Sequence, residues 1–426
     1  MWTLCSQESQ STKCSFQSES QAGLERPVVM MPLRVYLDYS DFSTLANANR
    51  TAEQDNIRRQ LTMWAEEGLV QFVFSGAHLI EMAPLDACYT PAAVARADLL
   101  VSLCHRNAVI SFDRLILAEL NCLQDPELPA PKVISTSAEW YPEVGNLVSP
   151  VQWVDAMKEV DVTSKEIGLN RQQRRQLKRK FFKNGQPTKA TRRFLQFNEQ
   201  SADYKELIEQ YPMRLQDAKV LGQYTVGKAT AAQANEAFLE SLRDPRWMMQ
   251  WFANHYAKLS TFSQWLRAPA EKLLAAVTDI AEAARRIHEL GSIIGPSHKP
   301  YLTSEYWERQ QDEILCSIAR RLLEVHSPGA HFDVIAGDID ERCPGLSTFF
   351  RTAHSAVRDV TGRTPRQPKA SDFADGVHAM YAPYVDVFRA DSYMANHVRI
   401  CVQRHGTMVV PKLSQLVPVI KNCLNI

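Results

Sequence analysis

With 426 residues, 45% of them hydrophobic and 23% charged, the chain can hold two or three domains of roughly 150 residues and is not disordered as a whole. Lys and Arg number 48, as do Asp and Glu, so net charge alone points to no class of partner. Nine cysteines, none in a C-x-x-C pair, read as reduced thiols, and no stretch approaches the roughly 18 apolar residues of a membrane span, so a cytoplasmic protein is expected.

Residues 1–30 are polar, rich in Ser and Gln, and predict a flexible tail without the apolar core of a signal peptide. The run LRVYL (33–37) predicts a first strand that ends at Asp38. An amphipathic helix is expected over 41–65, and a second strand over 69–74 (LVQFVF). Ser75 is placed to cap the helix that GAHLIEMA begins. A helix over 91–105 and a short strand at AVISF (108–112) complete a strand–helix alternation, which predicts a parallel sheet covered on both faces. QDPELPAPK then breaks the pattern. From about 150 to 327 the spacing is helical with no convincing strand, including helices over 232–243, 246–267 and 269–290. The alternation returns with a helix over 371–382, a strand at 385–390, a helix over 392–404, a strand at 407–411 and a helix over 413–424. The expected organisation is one discontinuous α/β domain, 31–123 plus 330–426, interrupted by a mostly helical insertion, 124–329.

Four acids fall where an open α/β fold places its chemistry. Asp38 and Asp391 end strands, Glu81 lies in the helix after the second strand, and Asp375 in the helix before the fourth. Ligands in such sheets bind outside the carboxyl ends of the strands. Acids gathered there repel one another, and a hard divalent cation, Mg²⁺ or Mn²⁺, is the usual remedy. A cation so held can activate water and offset the charge that develops at a phosphodiester. The competing role for any one of these acids is a helix cap. Asp41 and Asp372 are the clearest cap candidates, and either could join as a secondary ligand. His78 and His378 each lie three residues from one of the acids, close enough on a helix to orient a carboxylate, although buried structural histidines are commoner. Tyr36 and Tyr384 read as packing residues.

VYLDYSDFSTLA resembles the opening of PIN domains, where an Asp closes the first strand; FSGAHLIEM and SDFADGVHAMYAPYVDVFRAD resemble their later motifs. The resemblance implies a Rossmann-like three-layer α/β/α sandwich and a Mg²⁺- or Mn²⁺-dependent phosphodiesterase acting on RNA. Carried over by position, Asp38, Glu81, Asp375 and Asp391 are its metal-binding, catalytic acids. The family often carries Thr or Ser before the last Asp, where this chain has Arg389 and Ala390.

The segment 171–193 holds ten Lys or Arg and no acid, with Phe181 and Phe182 embedded. Arg171, Arg174, Arg175, Lys178, Arg179 and Lys180 are the expected contacts to a nucleic-acid backbone, RNA before DNA. In a second basic run, 358–369, Arg363, Arg366 and Lys369 could reach a phosphate near the acids. The aromatic group Trp247, Trp251, Phe252, Tyr256, Phe262 and Trp265 reads as the insertion's own core. Phosphate-loop, nucleophile-elbow and dinucleotide glycine motifs are absent, which excludes the common NTPase, hydrolase and dehydrogenase patterns. The leading expectation is therefore an endoribonuclease. Alternatives are a non-catalytic scaffold that binds RNA or protein, and a flap-type or single-strand DNA nuclease. An inhibitory or regulatory protein partner stays open.

Overall fold

In the computed structural model of the chain, the residues described are 31–84, 86–143, 153–184, 186–189, 191, 212–225, 227–255, 282, 286, 304–329, 333–360 and 371–426. The expected tail over 1–30, the helix over 269–290 apart from residues 282 and 286, and Arg363, Arg366, Lys369, Tyr256, Phe262 and Trp265 lie outside them.

Strand β1 (Leu33–Tyr36) leads into helices α1 (Tyr39–Ala46) and α2 (Ala52–Glu66). The pattern predicts one helix here, and two form because Thr51 starts the second. Its hydroxyl accepts the Gln54 N–H at 3.3 Å while the Gln54 side chain accepts the Thr51 N–H at 2.8 Å, a reciprocal cap. Then come β2 (Val70–Val73), α3 (Gly76–Met82), α4 (Thr90–Cys104), β3 (Ala108–Val109), α5 (Phe112–Gln124) and β4 (Ile134–Ser135). In the middle, α6 (Trp153–Glu166) and α7 (Arg171–Phe181) precede a small hairpin, β5 (Phe182–Lys183) with β6 (Gln186–Pro187). No strand is expected there. Asn184, at φ +53°, supplies the left-handed turn residue that lets the chain reverse after only two strand residues.

Helices α8 (Leu215–Thr225), α9 (Ala231–Leu242), α10 (Pro245–His255), α11 (Ser304–His326), α12 (Ala336–Arg342), α13 (Pro344–Val360) and α14 (Ser371–Ala379) follow. The chain ends with β7 (Val387–Arg389), α15 (Met394–Val402), β8 (Met408–Val410) and α16 (Leu413–Leu424).

The main sheet has the order β2-β1-β7-β8, and all its pairs are parallel. A parallel bridge from Phe74 to Ala108 brings β3 alongside β2, and β4 adds antiparallel to β3. Successive strand side chains point to opposite faces, so each strand feeds two cores. Val35, Phe72 and Val387 pack on one face with Phe42 of α1, Trp64 of α2, Leu100 of α4 and Leu416 of α16. Tyr36, Val73 and Phe388 pack on the other with Ile80 of α3, Phe349 of α13, Val377 of α14 and Val398 of α15. The protein is thus an α/β fold with helices on both faces of a parallel sheet. Trp251 and Phe252 of α10, expected in a separate core, instead join Val35 and Phe72. The middle of the chain is therefore partly built into the sheet's own packing.

Two close approaches fix elements on either side of the sheet. A Cβ at Gly76 would stand 3.0 Å from the Trp140 carbonyl oxygen and 3.1 Å from its ring. The fully buried Trp140 indole in turn donates to the Leu242 carbonyl at 3.0 Å, so the start of α3 is keyed to the end of α9. Elsewhere the buried Glu119 carboxylate of α5 accepts the Gly345 N–H at 2.6 Å and the Leu346 N–H at 2.9 Å, at the start of α13, and also the Tyr384 hydroxyl. Burial raises its pKa to about 7 against the opposing pull of those three donors. Its folded pKa lies above the ordinary Glu value, so its contribution to stability is full at low pH and declines as pH rises through 7. Glu119→Ala strips three donors of their acceptor, at about 1–3 kcal/mol each. Urea unfolding is expected to show a loss of about 3 kcal/mol or more, larger at pH 4 than at pH 8.

Candidate active site

The strand order sets the place of the site. From β1 the chain winds outward through β2 to β3, and from β7 it winds the opposite way to β8. The neighbours β1 and β7 therefore flank the point where the winding reverses, beyond whose carboxyl ends a crevice opens. Asp38 lies two residues past the end of β1, and Asp391 two past the end of β7. Glu81 sits in α3 and Asp375 in α14.

The four acids gather. Burial is the main reason that the Asp375 carboxyl is raised to about 7; His378 opposes the shift, while the charges of Glu81, Asp391 and Asp38 push it further up. Residues distant in sequence thus feel one another's charge at one end of the sheet. None of the four pairs with Lys or Arg among the described residues. Asp375 has no hydrogen-bonding partner among them either.

The acids do not yet converge. Among the described residues no three His, Cys, Asp or Glu side chains are arranged to hold a metal ion. Each of three acids instead has a local engagement. An Asp38 carboxylate oxygen accepts the Ser40 hydroxyl. Asp391 accepts the Met394 N–H at 2.6 Å, at the start of α15. Glu81 accepts from His378 Nε2 at 3.0 Å. The donor set suits a hard cation in its chemistry: four carboxylates, no Lys or Arg paired with them among the described residues, and one carboxyl raised mainly by burial and further by the charges of the other three. Asp38, Glu81, Asp375 and Asp391 are the residues that would hold such an ion after side-chain rotation. Asp372 lies in the first turn of α14, with its side chain outside the described residues.

Behind Glu81 runs a buried polar string. His378 Nδ1 lies 2.5 Å from the Tyr36 hydroxyl, which lies 2.7 Å from Ser75 Oγ. The Ser75 N–H donates to His78 Nδ1 at 3.0 Å, which leaves His78 Nε2 to donate to the Leu37 carbonyl at 2.9 Å. His78 is therefore neutral, and burial followed by the charge of His378 depresses its pKa. Burial also pulls the His378 pKa down, but the charge and hydrogen bond of Glu81, with Asp38 and Asp375, outweigh it and raise the pKa overall. His378 thus meets Glu81 through Nε2 and the Tyr36 hydroxyl through Nδ1, and the Tyr36 hydroxyl carries the string on to Ser75. Of the two candidate histidines, His378 touches an acid, whereas His78 holds the backbone one residue before Asp38. Tyr36 packs as expected and also joins this string.

A cation escapes the pattern-based reading. Arg389, buried at the end of β7, lies 3.2 Å from the Asp41 carboxylate. Asp41 is buried too, and burial raises it to about 7, with Arg389 pulling down and Asp38 pushing up. Asp41 also accepts the Asp38 N–H at 3.2 Å, so it serves as cap and ion-pair partner rather than as a ready ligand. The signal was present in VDVFRA, where an arginine interrupts an otherwise buried strand end. Tyr384 packs against the second core as expected and also donates its hydroxyl to Glu119.

The basic helix α7 divides into two rows. Arg174 and Lys178 turn toward α6, 3.7 and 3.3 Å from Asp161. Arg171, Arg175, Arg179 and Lys180 are exposed. The first three follow at intervals of four residues, about 6 Å apart along the axis. No helix among the described residues is long and apolar enough to cross a membrane. Compared with family models, with curated proteins and with solved structures, the chain matches none.

Proposed function

We propose that this protein is a metal-dependent endoribonuclease on a PIN-like, Rossmann-type α/β/α sandwich. The observation that carries the reading is the gathering of the four acids, whose charges meet at Asp375: burial raises that carboxyl most, and Glu81, Asp391 and Asp38 push it up against the pull of His378. Supporting it is the strand order, which puts Asp38 and Asp391 on either side of the reversal between β1 and β7. In this reading Asp38, Glu81, Asp375 and Asp391 hold Mg²⁺ or Mn²⁺. A bound ion would supply an activated water and an answer to the charge developing on the phosphate. The chain's own residues do the rest. His378 orients Glu81 through one nitrogen while Tyr36 steadies the other. The row Arg171, Arg175 and Arg179, with Lys180, binds the sugar–phosphate backbone that the acidic site itself would repel.

A second reading is a non-catalytic scaffold that binds RNA or protein. It is favoured by the lack of three converged ligands among the described residues and by the engagement of Glu81 with His378.

Metal-dependent stability separates the two. Asp375 has a folded pKa above its unfolded value, so its ionisation in the apo protein costs stability as pH rises from about 4 to about 7. At pH 8, Asp375→Asn is expected to melt a few degrees above the unaltered apo protein, and at pH 4 the two should coincide. Millimolar Mn²⁺ is expected to raise the melting temperature of the unaltered protein at pH 8 and leave that of Asp375→Asn unmoved. An unaltered protein indifferent to Mn²⁺ and Mg²⁺ would favour the scaffold.

Asp38→Asn is expected to lower metal-dependent RNA cleavage at least a hundredfold while RNA affinity stays within about twofold, since base and phosphate contacts lie elsewhere. Retained cleavage refutes the site, and a preference for DNA in direct competition would reassign the substrate.

Replacing Arg171, Arg175 and Arg179 with Gln is expected to weaken RNA binding and flatten its salt dependence by about one unit of slope per arginine. Arg174→Gln, whose side chain is turned to Asp161, should change the slope little.

A further inference from the structure

Helices α11, α13 and α15 line a half-open hollow of about 320 Å³ that is separate from the four acids. On α13 its wall is Arg351, His354, Ser355 and Arg358; on α15 and the turn after it, His397, Ile400, Cys401 and Arg404. Both sets follow the spacing i, i+3, i+4, i+7, which is one face of a helix. Paired helices ordinarily meet through such faces with apolar side chains. Here the apolar residues of α15, Ala395, Val398 and Val402, are committed to the sheet. The faces left over bring three guanidinium groups and two imidazoles to a shared hollow.

Several of these side chains are already held, some by acids outside the hollow and some by its own wall, where Arg351 donates to Gln311 at 3.0 Å. Arg351 reaches Asp340 through Nε at 2.7 Å and Nη2 at 2.9 Å, and Asp312 at 2.8 Å. Arg404 lies 3.2 Å from Asp340, and His397 lies 3.2 Å from Asp359 and 2.8 Å from Ser355. None of these three acids lines the cavity, whose one lining acid is Glu308. Burial, and after it the charges of Arg351 and Arg358, lower the His354 pKa. Trp307 of α11 adds an aromatic wall, its ring 5.2 Å from that of His354 and edge-on to it. A cavity of this size falls at the lower end of small-molecule sites, roughly 300–1,000 Å³.

We infer that this cavity is a binding site for a small phosphorylated, ring-bearing ligand of the nucleoside monophosphate class. The phosphate lies between the exposed Arg358 and Arg404, whose guanidinium groups can match its oxygens, while Arg351 is held by Asp340, Asp312 and Gln311. The ring lies against Trp307, next to His354, which can exchange hydrogen bonds with it. The proposal does not depend on nuclease activity, because no residue of the acidic site lines this cavity.

Isothermal titration of the full chain with AMP, GMP, CMP and UMP, alongside adenosine and inorganic phosphate at constant ionic strength, tests it. At least one nucleotide is expected to bind, with adenosine and phosphate at least tenfold weaker than the best nucleotide. Arg404→Gln and Arg358→Gln should weaken the nucleotide about tenfold. Trp307→Ala should weaken the nucleotide but not phosphate. Asp38→Asn should leave nucleotide affinity unchanged, which separates this site from the acids. Arg404 and Arg358 are exposed, so their variants keep the test valid if Trp307→Ala does not fold. Failure of all four nucleotides to bind at millimolar concentration overturns the inference, as does affinity unaltered in both arginine variants.

Discussion

A carboxylate taken out of water must find something to answer its charge, and three buried or nearly buried acids show the different answers this fold provides. Glu119 is answered by backbone donors at the start of α13 and by a tyrosine. Asp41 is answered by Arg389. Asp375 has no such direct partner among the described residues, only the field of His378 set against those of three other acids. Packing accounts for the first two. The third lies among three other carboxylates, at the place where the sheet reverses its winding. That coincidence of topology and unanswered charge is why the proposed chemistry is placed there rather than at the stronger concentration of arginines around α13.

The string from Glu81 through His378, Tyr36 and Ser75 to His78 joins β1, α3 and α14 by hydrogen bonds instead of by apolar contact alone. Buried polar networks specify geometry more sharply than hydrophobic packing does, because a displaced member leaves its neighbours unsatisfied. Here the network ends at Leu37, one residue before Asp38. Two of the four acids are therefore positioned by one chain of hydrogen bonds.

Much of this was legible from local pattern. Short apolar runs ending in Asp38 and Ser75, and the terminal helix over 413–424, are local signals of strand and helix, and the corresponding elements form close to those places. The break between α1 and α2 was also written, in Thr51 and Gln54, but an amphipathic stripe running through both helices masks it. What periodicity cannot convey is partnership across the chain. It marks Trp251 and Phe252 as buried without saying that they meet Val35, and it marks Arg389 as anomalous without saying that Asp41 receives it. Nor does a row of Lys and Arg on α7 disclose that Arg174 and Lys178 are spent on Asp161.

The wedge formed by Trp140 carries a consequence for inheritance of change. Its backbone and ring leave no room for a side chain at Gly76, and its indole holds the last turn of α9. The helix that begins at Gly76 bears both His78 and Glu81. A change in α9, which carries none of the four site acids, therefore bears on the placement of α3 through that indole. Divergence in the helical middle of the chain can thus retune the carboxylates without replacing one of them.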